Sequence, residues 1–395
     1  MITIIGGTYL EICIDPPYEE LYGSGLRAAA ALSKKGININ FHTFISSKYK
    51  NLSEIKASTF GYTFIPQDIP QNVTFEYYHP LSPPLTFNNN KEQIFHMNGI
   101  EANNVLYYGM IEGDACVKAE YMVYDPQNHK SLKESGSTAK HLALILNKRE
   151  AILLSQSNSD NLADIGRSLL LSEGAEVVVI KNGAQGALVI EYNNVSEIPV
   201  FKSDSVWPIG TGDIFSAVFA WKWMTEKLSA YEAALSASEY TAIYCQSRHL
   251  PLPKKELGLD PLNIQKKQNS IYLAGPFFTI SERWLVNELR SVLHEFGNLV
   301  FSPYHEIGLI QGDILSESKE IATKDLENLL NCDTVLAIVD GLDAGTLFEI
   351  GYAVSNKKKV VVLAENVSNE DLVMLFGTNC IITDDFSTAV YKASW

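Results

Sequence analysis

Three acidic side chains lie close together in the segment Asp333–Ala353 (DTVLAIVDGLDAGTLFEIGYA): Asp340, Asp343 and Glu349. The run VLAIV predicts a buried strand, DGLDAG predicts the loop after it, and TLFEIGYA predicts the start of a helix. In open α/β sheets, ligands bind at the carboxyl ends of the strands, beside exposed N–H groups at helix amino termini. The pattern therefore predicts a ligand site lined by carboxylates.

The predicted loop and helix also determine which side chains lie on the same face. Glu349 lies one turn inside the predicted helix and three residues after Thr346, so these two side chains share a face. Gly341, Gly345 and Gly351 permit a tight turn and a close approach of backbone to ligand. Taken alone, Glu349 could equally be a solvated carboxylate, and Asp343 a turn former.

A second constellation lies earlier, in Ile209–Ala217 (IGTGDIFSA). The turn Gly210-Thr211-Gly212 runs directly into a predicted helix, and consecutive N–H groups at such a start form an anion hole for phosphoryl charge. Asp213, in the first turn of the helix, could accept the proton of an attacking hydroxyl. The simpler interpretation is that Asp213 only caps the helix.

The elements around the second constellation alternate between strand and helix. Met1–Gly7 and Glu176–Lys181 predict strands, and Gly25–Lys35 and Asp213–Leu228 predict helices. Such alternation is typical of a mostly parallel sheet covered by helices on both faces. Residues 72–97 contain short aromatic runs broken by prolines and asparagines, which predicts a small antiparallel flap.

The composition changes at Leu250–Asn269, which contains three prolines, four lysines and no sustained period. We interpret this segment as a linker. After it the alternation of strand and helix restarts, and it predicts a second, doubly wound sheet of Rossmann-like, flavodoxin-type order. The expected organisation is one domain over 1–250, a linker over 251–269 and a second domain over 270–395.

The overall composition restricts the class of protein. The chain has 395 residues, 46% of them hydrophobic, and a formal net charge of −15. This balance suits a globular protein of two domains and disfavours a nucleic-acid polymer as partner. The five cysteines lie far apart, and no apolar stretch approaches the length of a membrane span. We expect a cytoplasmic protein with buried thiols and no membrane partner.

The last 125 residues resemble the nucleoside 2-deoxyribosyltransferase family. The resemblance covers residues 270 to about 380 and rests on three elements in order. These are the first strand YLAGPF at Tyr272–Phe277, Asp325 in KDLENLLNCD, and the pattern D-G-x-D-x-G-T-x-x-E-x-G-Y-A at Asp340–Ala353. The resemblance implies enzymatic cleavage or transfer at an N-glycosidic bond, without a cofactor.

The resemblance also implies a role for individual residues. Glu349 would attack the anomeric carbon and form a covalent deoxyribosyl-enzyme, and Asp325 would exchange a proton with the base. Asp343 would bind a sugar hydroxyl, and Tyr272 would hold the Glu349 carboxylate. Further positions expected at the substrate are Gly275, Phe277, Phe278, Asp340, Gly345 and Thr346. As alternatives, Asp325 could be a surface residue, Phe277 and Phe278 plain core, and His305 either a base-binding group or a loop histidine.

Two features bear on the substrate of this domain. Transferases of the family supply an asparagine from a neighbouring subunit to grip the 5′-hydroxyl, whereas Asp371–Gly377 (DLVMLFG) has no asparagine at that place. Relatives that hydrolyse nucleoside 5′-monophosphates tend to carry a serine where this chain has Asp343. Because a carboxylate repels phosphate, the pattern favours the transferase, with the hydrolase as the alternative.

Residues 1–250 resemble the ribokinase-like (PfkB) carbohydrate and nucleoside kinases. Besides the G-T-G-D turn, the resemblance rests on Asn147–Glu150 (N-x-x-E), on Val177–Val189 with its two glycines, and on Gly23–Gly36. It implies MgATP as phosphoryl donor and Asp213 as base. Asn147 and Glu150 would hold Mg²⁺ through water, with no direct metal ligand, although they could also form an ordinary strand-to-helix junction. Residues expected near ATP are Asn147, Glu150, Gly183, Gly186, Gly210, Thr211 and Gly212.

This domain departs from the family around the acceptor. Trp207, Pro208 and Ile209 stand where acidic and threonine residues are usual, Arg27 replaces an asparagine that touches the sugar, and Glu11 replaces an early aspartate. The leading hypothesis is a bifunctional enzyme of nucleoside or nucleotide metabolism, acting on small sugars and nucleosides and forming a homo-oligomer. The alternative is a nucleotide-binding regulatory protein whose kinase domain is inactive.

Overall fold

The protein is described by a computed structural model that covers residues 1–89, 93–127, 130–157, 159–262, 268–306, 308 and 314–395, with only the backbone at 314–317. Contacts divide the chain into two compact units, Met1–Asn263 and Ile264–Trp395. We call them unit 1 and unit 2 and describe each separately.

Unit 1 is built on a nine-stranded sheet in the order β13-β12-β11-β10-β9-β8-β1-β4-β5. Neighbouring strands are parallel except at β11–β12 and β12–β13, as the alternation of strand and helix predicts. The strands are β1 (Ile2–Ile5), β4 (Ile39–Ile45), β5 (Thr63–Asp68), β8 (Phe95–Tyr108), β9 (Gly113–Asp125), β10 (Thr138–Asn147), β11 (Val177–Lys181), β12 (Ala187–Glu191) and β13 (Asn194–Ile198).

Helices cover both faces of this sheet. Because successive side chains of a strand point to opposite faces, Ile4 packs with one apolar cluster and Ile5 with the other. The first cluster includes α1, α5 and α6, and the second includes α3 and α4. The helices of unit 1 are α1 (Gly23–Leu32), α2 (Ser47–Phe60), α3 (Lys148–Ser155), α4 (Leu162–Glu173), α5 (Thr211–Ala220), which continues as a π-helical turn over Trp221–Thr225, and α6 (Ala230–Ser247).

Strands β8 and β9 form a ribbon that bends back on itself. They pair in parallel over nearly their whole length, with an irregularity between Met97 and Ile100. Only four residues, 109–112, connect them, and four residues span at most about 14 Å, whereas a straight strand of this length spans about 45 Å. The Ala115 N–H donates to the Tyr107 hydroxyl at 2.9 Å, which shows the return directly. The bend places Met97 and Ala115 in the second apolar cluster, a position that helices usually fill.

A small separate sheet forms the predicted flap. It contains β2 (Leu10–Cys13), β3 (Tyr18–Leu21), β6 (Thr74–Tyr77) and β7 (Leu85–Phe87), in the order β3-β2-β6-β7. The pairing of β2 with β6 is parallel, so the flap is not wholly antiparallel as expected. The aromatic run that ends at Met97 belongs to β8 instead, because its residues pair with β9.

Much of the segment interpreted as a linker is bound to unit 1. The Leu252 N–H donates to the Ala31 carbonyl at 3.2 Å, and the Leu262 N–H donates to the Val200 carbonyl at 2.7 Å. Between these points the Glu256 carboxylate lies 2.9 Å from the Lys222 ammonium. Residues 263–267 of the interpreted linker lie outside the described part of the chain.

Unit 2 is a five-stranded, all-parallel sheet in the order β15-β14-β16-β17-β18, with helices on both sides. This is the predicted doubly wound, flavodoxin-type order, whose switch point lies between β14 and β16. Its elements are β14 (Ser270–Ala274), α7 (Ile280–Glu295), β15 (Leu299–Phe301), α8 (Pro303–Glu306), α9 (Ile314–Asn331), β16 (Thr334–Ile338), α10 (Ala344–Ser355), β17 (Lys359–Leu363), α11 (Val373–Phe376), β18 (Ile381–Thr383) and α12 (Phe386–Ser394). Within the described residues, no helix has the length and apolar character that a membrane crossing requires.

Candidate functional sites

The carboxylate of Glu349 lies at the switch point of unit 2. Tyr272 on β14 is fully buried, and its hydroxyl donates to Glu349 Oε1 at 2.6 Å. The Tyr272 ring stacks on Phe301 of β15 with centroids 5.5 Å apart, so its hydroxyl has little freedom to move. Glu349 Oε2 has no hydrogen-bond partner among the described residues. One oxygen is therefore held in place while the other remains available for chemistry.

Two carboxyl groups at this site have raised pKa values. Burial raises the pKa of Glu349 to about 7, and the charges of Asp325 and Asp343 add to the increase, while the Tyr272 hydrogen bond opposes it. Burial also raises the pKa of Asp325 to about 6. Asp325 Oδ1 is buried and has no hydrogen-bond partner among the described residues. Both groups can therefore change protonation near neutral pH.

Asp343 is the N-cap of α10. Its Oδ2 accepts from the Thr346 N–H at 2.8 Å and from the Thr346 hydroxyl at 2.9 Å. A Cβ at Gly345 would lie 3.1 Å from the same oxygen, so a side chain there would crowd the cap. Asp343 has a structural role in addition to any contact with substrate.

Asp340 and Gly275 support the edge of the sheet. Asp340 accepts from the Glu365 and Asn366 N–H groups, at 3.3 and 2.7 Å, which joins the loops after β16 and β17. A Cβ at Gly275 would lie 3.0 Å from Ile338, so glycine permits the loop after β14 to pack on β16. Both positions therefore have local structural reasons for their residue type.

An aromatic row lies at the carboxyl ends of β14 and β15. Phe277 stacks with Phe278 at 5.3 Å between centroids and packs with Tyr304 at 5.5 Å, and Tyr304 contacts His305 at 4.9 Å. Phe278 is 61% exposed, so it is not a core residue. Tyr304 was missed by the sequence analysis, although it follows a strand end in the same way as Phe277.

His305 is held by polar neighbours on both sides of its ring. Nδ1 lies 3.0 Å from the Ser302 hydroxyl oxygen, and Nε2 lies 2.7 Å from Asn287 Oδ1. Burial lowers the pKa of His305, so its neutral form is favoured. These two contacts account for both ring nitrogens of the histidine without a ligand.

In unit 1 the G-T-G-D motif lies at the start of α5, which begins at Thr211, two residues earlier than predicted, with Gly210 as its N-cap. Gly210 has φ +79°, and the Thr211 hydroxyl donates to the Pro208 carbonyl at 2.8 Å. Asp213 is 8% exposed, and both its carboxylate oxygens are engaged. Oδ1 accepts from Gln127 Nε2 at 2.8 Å, and Oδ2 accepts from Arg27 Nη1 at 2.7 Å. Since a carboxylate oxygen can accept two hydrogen bonds, each keeps capacity for a ligand.

Arg27 is fully buried between two carboxylates. Its guanidinium contacts both oxygens of Glu11 and one oxygen of Asp213, and its Nε–H donates to the Tyr244 hydroxyl at 3.2 Å. A Cβ at Gly210 would come within 2.2 Å of Arg27 Nε, so the arginine occupies the space directly beside the turn. These two acidic neighbours raise the pKa of Arg27 above its usual range, against the opposing effect of burial.

A second ion pair at this edge was missed by the sequence analysis. Lys181, at the end of β11, lies 3.0 Å from the Asp125 carboxylate at the end of β9, and the Ser216 hydroxyl donates to the same oxygen at 2.7 Å. A Cβ at Gly212 would lie 3.3 Å from Lys181 Nζ, so the ammonium lies beside the first turn of α5. Charged residues directly after apolar strands, as in YMVYD and VVVIK, are the signal that could have identified both.

The remaining predicted residues of unit 1 occupy two turns. Asn147 and Glu150 form a reciprocal capping box at the start of α3. Burial and the charge of Asp125 raise the pKa of Glu150 to about 7, while Lys181 lowers it. Gly183 and Gly186 form the turn between β11 and β12, both with positive φ. Asn147 and Glu150 therefore lie at the sheet edge that bears Lys181, whereas the two glycines shape a hairpin.

The site of unit 1 suits a cation accompanied by phosphate better than a cation held by protein alone. Within the described residues, no cluster of three or more acidic, histidine or cysteine side chains could hold a metal ion. Asp125 Oδ1 is buried and has no hydrogen-bond partner in the described part of the chain, and Glu150 lies close enough for the charge of Asp125 to add to the effect of burial in raising the pKa of Glu150. Mg²⁺ typically takes one or two carboxylates, water and substrate phosphates, so these residues fit that ion.

Two known protein families match the chain, one on each side of the boundary between unit 1 and unit 2. Residues 84–255 match the family described as pfkB family carbohydrate kinase, and residues 271–382 match the family described as nucleoside 2-deoxyribosyltransferase. No curated protein matches the chain.

Solved structures similar to the chain include several ribokinase-family proteins. A pyrophosphate-dependent kinase of the ribokinase family, solved with a pyrophosphate analogue and myo-inositol, is 17% identical, with 65% of this chain and 99% of that chain covered and a TM-score of 0.48. Ribokinase from Thermotoga maritima is 18% identical, with 64% and 96% covered and a TM-score of 0.48. A nucleoside kinase from Methanocaldococcus jannaschii is 15% identical, with 63% and 94% covered and a TM-score of 0.48. Similarity at this level concerns the fold alone.

The two family matches agree with the two sets of motifs and the two compact units. The chain is a fusion of a ribokinase-like (PfkB) carbohydrate kinase domain and a nucleoside 2-deoxyribosyltransferase-like domain.

Proposed function

We propose that unit 2 breaks and forms the N-glycosidic bond of 2-deoxyribonucleosides, with Glu349 as nucleophile. The observation that carries this proposal is the Tyr272–Glu349 hydrogen bond of 2.6 Å at the switch point of the sheet. It holds one carboxylate oxygen and leaves the other directed to substrate. Asp343, whose carboxylate would repel a phosphate, supports a nucleoside over a nucleoside 5′-monophosphate.

The reaction would proceed in two displacements. A Glu349 oxygen attacks C1′ of the sugar, the C1′–N bond breaks, and its electron pair passes to the base nitrogen, which takes the proton of Asp325. A second base then attacks C1′ through its own ring nitrogen and gives its proton to Asp325. Glu349 leaves as carboxylate, and Phe277 and Phe278 pack against the bases in both steps.

We further propose that unit 1 transfers a phosphoryl group from MgATP to a hydroxyl of a small sugar or nucleoside. The turn at Gly210–Gly212 and the ammonium of Lys181 would receive the phosphoryl oxygens, and Asp213 would take the proton of the attacking hydroxyl. Asn147, Glu150 and Asp125 would hold Mg²⁺, directly or through water. When bound, that ion neutralises charge on the phosphates.

Base exchange tests the first proposal. The full chain is incubated with deoxyinosine and adenine, and deoxyadenosine is measured by chromatography. We expect exchange by the wild type and by Glu327→Gln, a control that changes an exposed carboxylate on α9, and none by Glu349→Gln. Absence of exchange and of base release over a panel of deoxynucleosides would refute the transferase. Release from the 5′-monophosphates alone would favour the hydrolase.

A further inference from the structure

A buried ion triad joins three elements of unit 1 beside the candidate catalytic base. Glu11 lies on β2 of the flap, Arg27 on α1 and Asp213 on α5, and none of the three is more than 8% exposed. Arg27 Nη1 donates to Glu11 Oε1 at 3.1 Å and to Asp213 Oδ2 at 2.7 Å, and Arg27 Nη2 donates to Glu11 Oε2. One guanidinium is therefore shared between the flap and the base.

The two carboxylates do not share the guanidinium equally. Glu11 receives an N–H from each terminal nitrogen of Arg27, one for each of its own oxygens, whereas Asp213 receives one. Such a two-contact pair is the stronger geometry between arginine and a carboxylate. Burial acts to lower the pKa of Arg27, and of the two carboxylates that raise it Glu11 has the larger effect. Glu11 therefore takes the larger share and leaves Asp213 a single contact.

The position of Glu11 depends on the flap. Its Oε1 also accepts from the N–H of Gly23, the first residue of α1, at 3.0 Å. On the neighbouring flap strand β3, the Tyr18 ring packs on Trp207, in the loop before α5, with centroids 4.9 Å apart. These contacts hold the flap against α1 and the loop. Glu11 can contact Arg27 as it does only while β2 lies beside α1.

The two oxygens of Asp213 have different partners. Oδ2 is bound to the cation of Arg27, whereas Oδ1 accepts from the neutral amide of Gln127 at 2.8 Å. Because a nearby cation disfavours protonation, Oδ1 is the better proton acceptor of the two. A buried arginine that lost Glu11 would be driven towards its other carboxylate, since an uncompensated buried charge is strongly unfavourable. A two-contact pair with Asp213 would then place the cation on Oδ1 as well.

We infer that Glu11 is a positioning residue, which from the flap holds Arg27 away from Oδ1 of Asp213. The base is then free to take a proton only while β2 lies beside α1, so closure of the flap and availability of the base are coupled. The inference rests on the proposed phosphotransfer by unit 1. Glu11 acts through Arg27, and its removal should therefore be offset by removal of the arginine.

Paired variants of the full chain test this inference. Phosphorylation of ribose, 2-deoxyribose, adenosine and deoxyadenosine by MgATP is measured for the wild type, E11Q and E11Q/R27Q. We expect E11Q to lower kcat by about 30-fold with the KM for MgATP unchanged, because Oδ1 of Asp213 becomes bound to the cation. Adding R27Q should recover at least about tenfold of this loss. The control E19Q, which changes an exposed carboxylate on β3 of the same flap, should keep the wild-type rate.

Recovery in the double variant separates positioning from a purely structural role. If the ion triad only stabilised the fold, removal of a second member could not raise the rate. A folded double variant as slow as E11Q would overturn the inference, as would E11Q with the wild-type kcat. Calorimetric binding of the magnesium complex of a non-hydrolysable ATP analogue checks that each variant folds.

Crystal structures of the variants decide the inference independently of turnover. In E11Q the guanidinium of Arg27 should contact both oxygens of Asp213. E11D, whose carboxylate is one methylene shorter, should show a smaller change in the same direction, and it serves if E11Q does not fold. An arginine that keeps its single contact to Oδ2 would contradict the inference. If Arg27 moves as expected but the wild type phosphorylates none of the four compounds, the proposed phosphotransfer fails while the role of Glu11 in holding Arg27 stands.

Discussion

The acidic residues at the two sheet edges of this protein differ in their hydrogen-bond partners. In unit 1, Asp213 is buried and both its oxygens accept hydrogen bonds, one of them from the guanidinium of Arg27. In unit 2, Glu349 has one hydrogen bond from a neutral hydroxyl, and Asp325 has a buried oxygen with no partner among the described residues. No cation contacts Glu349 in the described part of the chain.

This difference separates two uses of a carboxylate. A charged partner fixes the position of the carboxylate, which suits a residue that must direct one oxygen at the hydroxyl whose proton it takes. Burial without a charged partner raises the proton affinity, which suits groups that exchange protons and attack carbon near neutral pH. The pKa values of about 7 for Glu349 and about 6 for Asp325 follow from the second arrangement.

The largest effect is expected for Glu349→Gln. The substitution preserves size but removes the nucleophile, so base exchange should fall by at least about 10³-fold. Because the charged form of Glu349 is disfavoured by burial, the variant should not be less stable than the wild type at pH 8. Chromatographic exchange assays and denaturant unfolding of unit 2 check both statements. Exchange within tenfold of the wild type would remove Glu349 from the mechanism.

Asp213→Asn should behave differently in unit 1. Loss of the proton acceptor lowers phosphoryl transfer by about 10²-fold or more, and Arg27 loses one of its two acidic partners. Breaking a buried pair typically costs about 3 kcal/mol, so unit 1 should unfold at lower denaturant concentration. Asp164→Asn, on an exposed ion pair, is the matched control. Full stability of Asp213→Asn would show that the buried pair does not hold this site.

Tyr272→Phe sharpens the account of Glu349. The tyrosine hydrogen bond favours the carboxylate form, so its loss raises the pKa of Glu349 further above 7. The wild-type profile of kcat/KM should be bell-shaped with an optimum between about pH 6 and 7, since Glu349 must be ionised and Asp325 protonated.

In the phenylalanine variant the rate should fall about tenfold at pH 6, and this loss should shrink as the pH rises through the pKa of Glu349. The control Tyr352→Phe, on the same helix as Glu349, should leave the profile of kcat/KM unchanged. A uniform decrease of the Tyr272→Phe rate at every pH would show that the tyrosine does not act through the charge of Glu349.

The smallest effect concerns the stability of unit 2. The folded-state pKa of Asp325, about 6, lies above its unfolded value, so the contribution of this group to the stability of unit 2 is most favourable below about pH 4 and is lost as the pH rises through 6. Asp325→Asn removes this loss and should stabilise unit 2 at pH 8 by no more than about 1 kcal/mol, since the half-buried group is partly screened by solvent.

Denaturant unfolding at pH 3.5 and pH 8 measures this gain, which should vanish at the lower pH. Glu327→Gln, the exposed control on the same helix, should show no such dependence on pH. A destabilised Asp325→Asn at pH 8 would mean that the aspartate is held by a favourable contact, and that the contrast between the two units is wrong.

Much of the fold could be predicted because its signals are local. Apolar runs such as VLAIV and glycine-rich turns before helices locate strands and helix starts without knowledge of the rest of the chain. The order of unit 2 then follows from regular alternation of strand and helix. The bend of the β8–β9 ribbon could not be predicted. Alternation of apolar and polar residues predicts a strand, but it does not show whether that strand bends or which strand it pairs with.

The site in unit 2 was easier to predict than the one in unit 1 for a similar reason. Asp343, Thr346 and Glu349 lie within seven residues, so one helix positions them. Arg27 and Asp213 are 186 residues apart, and Lys181 and Asp125 are 56 apart. Such pairs exist only after the strands assemble, and the sequence shows each residue but not its partner.

The central claim is that Glu349 becomes covalently joined to a deoxyribose. The full chain is incubated with deoxyinosine without an acceptor base, quenched in acid and digested, and the peptides are analysed by mass spectrometry. We expect one added deoxyribosyl group on the peptide that contains Glu349, which disappears when adenine is supplied and is absent from Glu349→Gln. Base exchange with no adduct at Glu349, or with the sugar on another residue, would contradict it.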